Sequence, residues 1–156
     1  MFCYARAILN DIEKDNAVDS RAAAIQRLRA LALNDYLKVF WTFPDPAYPK
    51  LSSLLPVAAS EKVQREWSGG FGLELQVNGV EFVWSVACRY MMSTGRQLAE
   101  ANVLDYGCGY GRYLRAFTYF VDEKQLVGID PWQRSISECE ASNLAKIGRA
   151  SCRERV

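Results

Sequence analysis

The sequence predicts an α/β fold in which an α-helical N-terminal region precedes the first two strands of a parallel sheet and their helices. Three observations predict it. Up to about residue 91, apolar residues recur at spacings of three and four, the period of amphipathic helices. Prolines at 43–56 and glycines at 67–72 cut that pattern into segments. From residue 102 the period changes, and short apolar runs that end in an acid alternate with helical stretches. Strand, glycine turn, helix, strand, helix is a βαβα unit, which implies a parallel pair with a right-handed crossover. The expected organisation is a helical region and Pro-rich linker at 1–60, an α/β unit at 61–146 and a distinct tail at 147–156.

Two helices are expected over residues 3–41. Ala5, Ile8, Leu9 and Ile12 have helical spacing, and Asp15-Asn16 interrupts them. Ser20 is a suitable N-cap for the second helix, whose stripe runs through Ala24, Ile25, Leu28, Leu31, Ala32 and Tyr36 to end near Trp41. Phe43-Pro-Asp-Pro-Ala-Tyr-Pro49 then lacks the backbone donors that a helix or central strand requires, so it reads as a linker or surface-hugging connection that Pro56 extends. A short helix from Ser60 is expected next, without the glutamate of a full capping box.

After the glycine-rich turn Trp67-Ser-Gly-Gly-Phe-Gly72, Asn78 and Glu81 have the spacing of a capping box. They place a helix carrying Val80, Val83, Trp84, Ala87, Tyr90 and Met91 as its core stripe. Val103-Leu104 is a short strand ending in Asp105, and a helix from about Arg112 to Phe120 follows. Gln125–Asp130 is the second strand, with a last helix from near Gln133.

Composition narrows the function. The chain has 156 residues, half of them hydrophobic, and a formal net charge of +1. That is a globular composition without the field that gathers nucleic acid or anionic membrane. There is no histidine, and the five cysteines (Cys3, Cys88, Cys108, Cys139, Cys152) form no Cys-x-x-Cys pair. Zinc-finger and Cys–His catalytic readings therefore have no basis, and no metal site is expected. Scattered thiols, the lack of a signal-peptide pattern and the lack of a membrane-length apolar run make a cytoplasmic location the expectation.

The chemistry converges on Val103-Leu-Asp-Tyr-Gly-Cys-Gly-Tyr-Gly-Arg-Tyr113. Glycines at 107, 109 and 111 permit a tight strand-to-helix turn with positive φ and close approach of a ligand to the backbone. The helix behind offers unpaired N–H groups. A nucleotide-like cofactor at a strand's carboxyl end is the generic reading. The dinucleotide pattern Gly-x-Gly-x-x-Gly would need glycine at 112, where this chain has Arg112. Asp130 ends the second strand, 25 residues after Asp105. An acid there suits ribose hydroxyls in either class of nucleotide site.

The segment Asp-x-Gly-x-Gly-x-Gly resembles motif I of class I S-adenosylmethionine (SAM) dependent methyltransferases, which have a Rossmann-like fold. The resemblance covers about 45 residues, or about 60 with the preceding helix, measured against one compact domain. It implies that Asp105 lies near the methionine amino group, and that Tyr106, Gly107, Cys108 and Gly109 form the cofactor loop. Gly111 would let the helix pack closely on the strand. Asp130, Pro131 and Trp132 would hold the nucleoside, with Trp132 either stacking on adenine or packing under the last helix. Trp67-Ser-Gly69 would line the far side of the cofactor. The resemblance implies an enzyme that transfers a methyl group from SAM, with acceptor and oligomeric state undetermined and catalytic residues beyond Lys146. Two alternatives stand beside it: an NAD(P)-binding oxidoreductase fragment, and a non-catalytic helical interaction module in which the glycine turn is structural.

Ile147–Val156 resembles, residue for residue, the translation of a sequencing-library adapter, so 147–156 is expected to be a non-native tail. Without it the net charge becomes −1, since Arg149, Arg153, Arg155 and Glu154 leave the count. The expected remainder is a truncated domain without turnover, marginal or aggregation-prone because two short parallel strands leave edges and faces open.

Overall fold

The computed structural model describes residues 3–144 and 147–149. The chain is mostly helical with a small parallel sheet. Helices α1 (Cys3–Lys14), α2 (Arg21–Leu28), α3 (Leu33–Thr42), α4 (Pro49–Leu54), α5 (Glu61–Ser68) and α6 (Leu73–Thr94) precede strand β1 (Val103–Tyr106). Helix α7 (Arg112–Phe117), strand β2 (Leu126–Asp130), helix α8 (Gln133–Ala141) and strand β3 (Ile147–Arg149) follow.

The first expected helix is α1. The second is split into α2 and α3. A continuous helix would turn Leu31 and Leu33 about 200° apart, on opposite faces. The break buries both. The break is fastened by Arg29, whose guanidinium donates to the carbonyls of Thr118 and Val121 at 3.0 and 2.7 Å and to the Asp122 carboxylate at 3.1 Å. Ser20 caps α2 as expected, its Oγ accepting from the Ala23 N–H.

The Pro-rich connection contains one helix that the sequence reading omits. Pro49 sits at the start of α4, where its missing N–H costs nothing. The next two N–H groups, of Lys50 and Leu51, both donate to the Glu13 carboxylate of α1, at 2.7 and 3.0 Å. Cap and acid come from different elements, so local spacing carries no trace of them. Ser60 caps α5 as expected, accepting from the Val63 N–H.

Helix α6 starts well upstream of the expected cap. Gly69 closes α5 at φ +73 and Gly72 opens α6 at φ +58, with the Gly72 N–H donating to Gln64 Oε1 at 2.9 Å. Asn78 is therefore an exposed residue inside the helix. The buried line of the helix runs through Leu75, Gln76, Gly79 and Val83. Of the expected stripe, Val83 is buried and Val80, Ala87 and Tyr90 pack at the core's edge. Trp84 is 56% exposed and Met91 51%.

The strands pair parallel, with Val103 opposite Leu126 through Tyr106 opposite Ile129. The βαβα order therefore holds. The sequence reading counts two strands, whereas the structure adds β3, whose backbone continues the sheet in the order β1-β2-β3. An open strand edge pairs with any extended segment, because the ladder uses backbone groups alone. Residues 150–156 of the expected tail lie outside the described residues.

One face of the sheet, carrying Leu126, Gly128 and Asp130, packs against α7 and α8 and is buried. The N-terminal helices do not lie on the other face of the sheet. They cover α7 instead: α3 and α6 pack on it, and the Tyr36 hydroxyl of α3 bonds Thr118 Oγ1 at 2.9 Å. Among the described residues no helix is long and apolar enough to cross a membrane.

Candidate functional site

The expected site is built around the turn between β1 and α7. Gly107, Gly109 and Gly111 take φ of +77, +55 and +77, a left-handed conformation that side chains disfavour. The N–H groups of Gly107 and Cys108 donate to the Ile129 carbonyl at 2.8 and 3.2 Å, carrying the β-pairing past the end of β1. The Gly111 N–H then closes the turn on the Cys108 carbonyl at 2.9 Å.

The three glycines differ in what surrounds them. A Cβ at Gly107 or Gly109 would meet nothing within 4 Å, so open space lies over the loop there. A Cβ at Gly111 would come within 2.7 Å of Leu144 Cδ1 and 3.3 Å of Cys139 Sγ. Gly111 thus admits the α8 side of the structure. Close packing of helix on strand, which the sequence reading assigns to Gly111, belongs to Gly128 in β2. A Cβ there would stand 2.5 Å from Leu114 Cδ1 of α7 and 3.0 Å from Cys108 Sγ. A glycine inside a strand is the available signal for such an approach.

Asp130 ends β2, 7% exposed, with both carboxylate oxygens engaged. Oδ2 accepts from the Gly109 N–H at 3.0 Å and Oδ1 from the Trp132 N–H at 2.9 Å. It fastens the glycine loop to the second strand. Asp105 sits beside it in β1 with Oδ2 buried and unpartnered. Burial pushes the Asp105 carboxyl above the usual carboxylate range, the Asp130 charge adds to that, and the Arg112 guanidinium opposes it. A buried carboxylate oxygen without a donor costs free energy that a cationic ligand group would recover.

A groove of about 170 Å³ opens over the loop. Gly107, Cys108 and Gly109 form one wall, Trp67 and Ser68 of α5 the other, with Tyr110, Arg112 and Tyr113. The Ser68 and Tyr110 hydroxyls join the two walls at 3.0 Å. Of Trp67-Ser-Gly69, the first two residues face the groove and Gly69 does not line it. Trp132 stands half-exposed with its ring 4.8 Å from that of Trp67, rather than under α8, and Arg134 lies over both rings. Tyr106 and Pro131 are exposed, and neither they nor Asp105, Gly111, Asp130 and Trp132 line the groove; Tyr106 alternates to the opposite sheet face from Asp105.

The groove, at about 170 Å³, is smaller than the ~300–1,000 Å³ of typical small-molecule sites. Among the described residues no group of three or more Cys, Asp or Glu is placed to hold a metal ion. No family model, no curated protein and no solved structure matches the chain.

Proposed function

We propose that the chain binds SAM over the 107–111 loop, as the cofactor-binding part of a class I methyltransferase that transfers a methyl group to an acceptor. One observation carries the reading. A loop of three left-handed glycines joins parallel strand to helix, with open space over two of them and an unpartnered buried carboxylate oxygen on Asp105 beside it. These residues fit the cofactor's chemistry: the ammonium of the methionine end matches Asp105 Oδ2, and no loop position calls for a pyrophosphate. SAM supplies an activated methyl group on a sulfonium. The chain's residues position it, with the loop backbone beneath, Asp105 at the ammonium and Trp132 offering a half-exposed ring for the base. Asp130 acts through the loop, holding Gly109 in place.

Calorimetric titration with S-adenosylhomocysteine and with NADH tests this. S-adenosylhomocysteine is expected to bind, and Gly107→Val to weaken it at least about tenfold, a loss of about 1.4 kcal/mol. Tighter binding of NADH would move the site to the oxidoreductase class. Binding of neither, by a chain with a cooperative fold, would return the glycine turn to a purely structural role.

A further inference from the structure

We propose that Cys108 and Cys139 form a redox-active dithiol behind the glycine-loop groove, which a small peroxide closes to a disulfide. The site goes beyond the cofactor reading and does not depend on it.

The two cysteines lie far apart in sequence and are brought together by the packing of α8 on the loop. Their sulfurs converge on one acceptor, the Gly109 carbonyl, with Cys139 Sγ at 3.0 Å and Cys108 Sγ at 3.9 Å. Glycines leave room for both: Gly111 faces Cys139 Sγ, and Gly128 faces Cys108 Sγ. Access is unequal. Cys108 lines the groove, whereas Cys139 lies behind it, fully buried. A small oxidant entering the groove meets Cys108 first.

The surroundings favour Cys108 as the nucleophile. The Cys139 thiol beside it draws the Cys108 thiol below its usual range, against burial and the charges of Asp105 and Asp130. The same contact and burial push Cys139 well above its usual range, which keeps it the proton donor. Beside Cys139, the Arg115 guanidinium is 1% exposed, and its Nε and Nη1 have no partner. Its own tendency to lose the proton, down to about 10, comes from burial, and a nearby anion would offset that. That cation draws the Cys139 thiol back toward ionisation, which suits the sulfur that closes the disulfide.

The chemistry closes without other reactants. The Cys108 thiolate attacks one peroxide oxygen, the O–O bond breaks, and the departing hydroxide takes a proton to leave as water. Cys108 is then a sulfenic acid. The Cys139 sulfur attacks the Cys108 sulfur, its proton goes to the departing hydroxide, and a second water leaves. Two thiols are oxidised to one disulfide and one peroxide is reduced to two waters. The bond ties the loop to α8 and removes a thiol from the groove wall.

The test treats the native full chain with hydrogen peroxide, alkylates remaining thiols and maps peptides by mass spectrometry. The expected product links the peptides of Cys108 and Cys139, lacks two hydrogens, and reverts with dithiothreitol, while Cys88 stays alkylated. In Cys139→Ser, Cys108 is expected to stop at a sulfenic acid that dimedone traps; in Cys108→Ser, Cys139 is expected to stay unoxidised. A link to another cysteine, a Cys108–Cys139 link formed only in urea, or an unreactive Cys108 in the native wild-type chain would each overturn the proposal. Loss of S-adenosylhomocysteine binding would not, since the readout is the peptide map.

Discussion

The helical region and the sheet bury their apolar residues to different extents. In α1 to α4, Leu9, Ile12, Leu28, Tyr36, Leu37, Phe40 and Leu51 are all inaccessible, because each helix lays its stripe on another helix. Among the described residues the strands are covered on one face alone. On the other, Leu104 is 60% exposed, Tyr106 64% and Val127 40%. Parallel sheets are ordinarily covered on both faces. Two consequences follow. The helices and α7 carry most of the packing free energy, and the glycine loop takes its shape from bonds of its N–H groups to the Ile129 carbonyl and the Asp130 carboxylate rather than from a fully buried sheet.

The sharpest way to break this comparison is a pair of truncations measured by urea unfolding. Phe40→Ala should cost about 3–5 kcal/mol, the usual loss for a buried aromatic. Leu104→Ala should fall within about 0.5 kcal/mol of the parent, as exposed positions do. Comparable losses would mean that the open face is covered in solution, by another copy or by segments outside the described residues.

A smaller effect separates two glycines of one loop. Gly107→Ala meets only the penalty of a left-handed backbone, about 1 kcal/mol. Gly111→Ala adds a collision with Leu144 Cδ1 at 2.7 Å and Cys139 Sγ at 3.3 Å, so its loss should exceed that of Gly107→Ala by about 1–2 kcal/mol. Thermal unfolding of both variants reads the difference. Equal losses would place α8 farther from the loop than the structure has it.

The parts that were legible in the sequence are those set by local chemistry. Ser20 and Ser60 cap helices through their own side chains, the second strand ends at Asp130 and the first one residue past the expected Asp105, and the three glycines take the positive φ that their spacing implies. What was not legible depends on partners distant in the chain. Glu13 caps α4 across 37 positions, and Arg29 fastens the α2–α3 break to the loop after α7. Gln64 sets the start of α6 by holding Gly72, which overrides the capping-box spacing at Asn78 and Glu81. The same limit applies within the site. Asp130 could be placed at a strand end from spacing, but the engagement of both its oxygens by the loop and Trp132 depends on strand register. Gly128 and the meeting of Cys108 with Cys139 depend on how α7 and α8 dock.

The smallest expected effect concerns Asp105, at the junction of the two regions. Burial first, then the Asp130 charge, raise its carboxyl in the folded chain above the usual 3.8, against the pull of Arg112. Between the unfolded value and the raised folded value, the native state holds a proton that the unfolded chain has released. Stability therefore falls as pH rises through that window, and the deficit persists at neutral pH. Asp105→Asn removes the ionisation, so it should match the parent near pH 3, lose the slope above it, and be the more stable of the two at pH 7 in urea titrations. The same variant should bind S-adenosylhomocysteine more weakly, because an amide cannot neutralise an ammonium. Gain of stability with loss of binding is the signature of a carboxylate kept for a cationic ligand. A loss of stability at pH 7 would show instead that the carboxylate already has a cationic partner within the fold, and the strongest support for the cofactor reading would be gone.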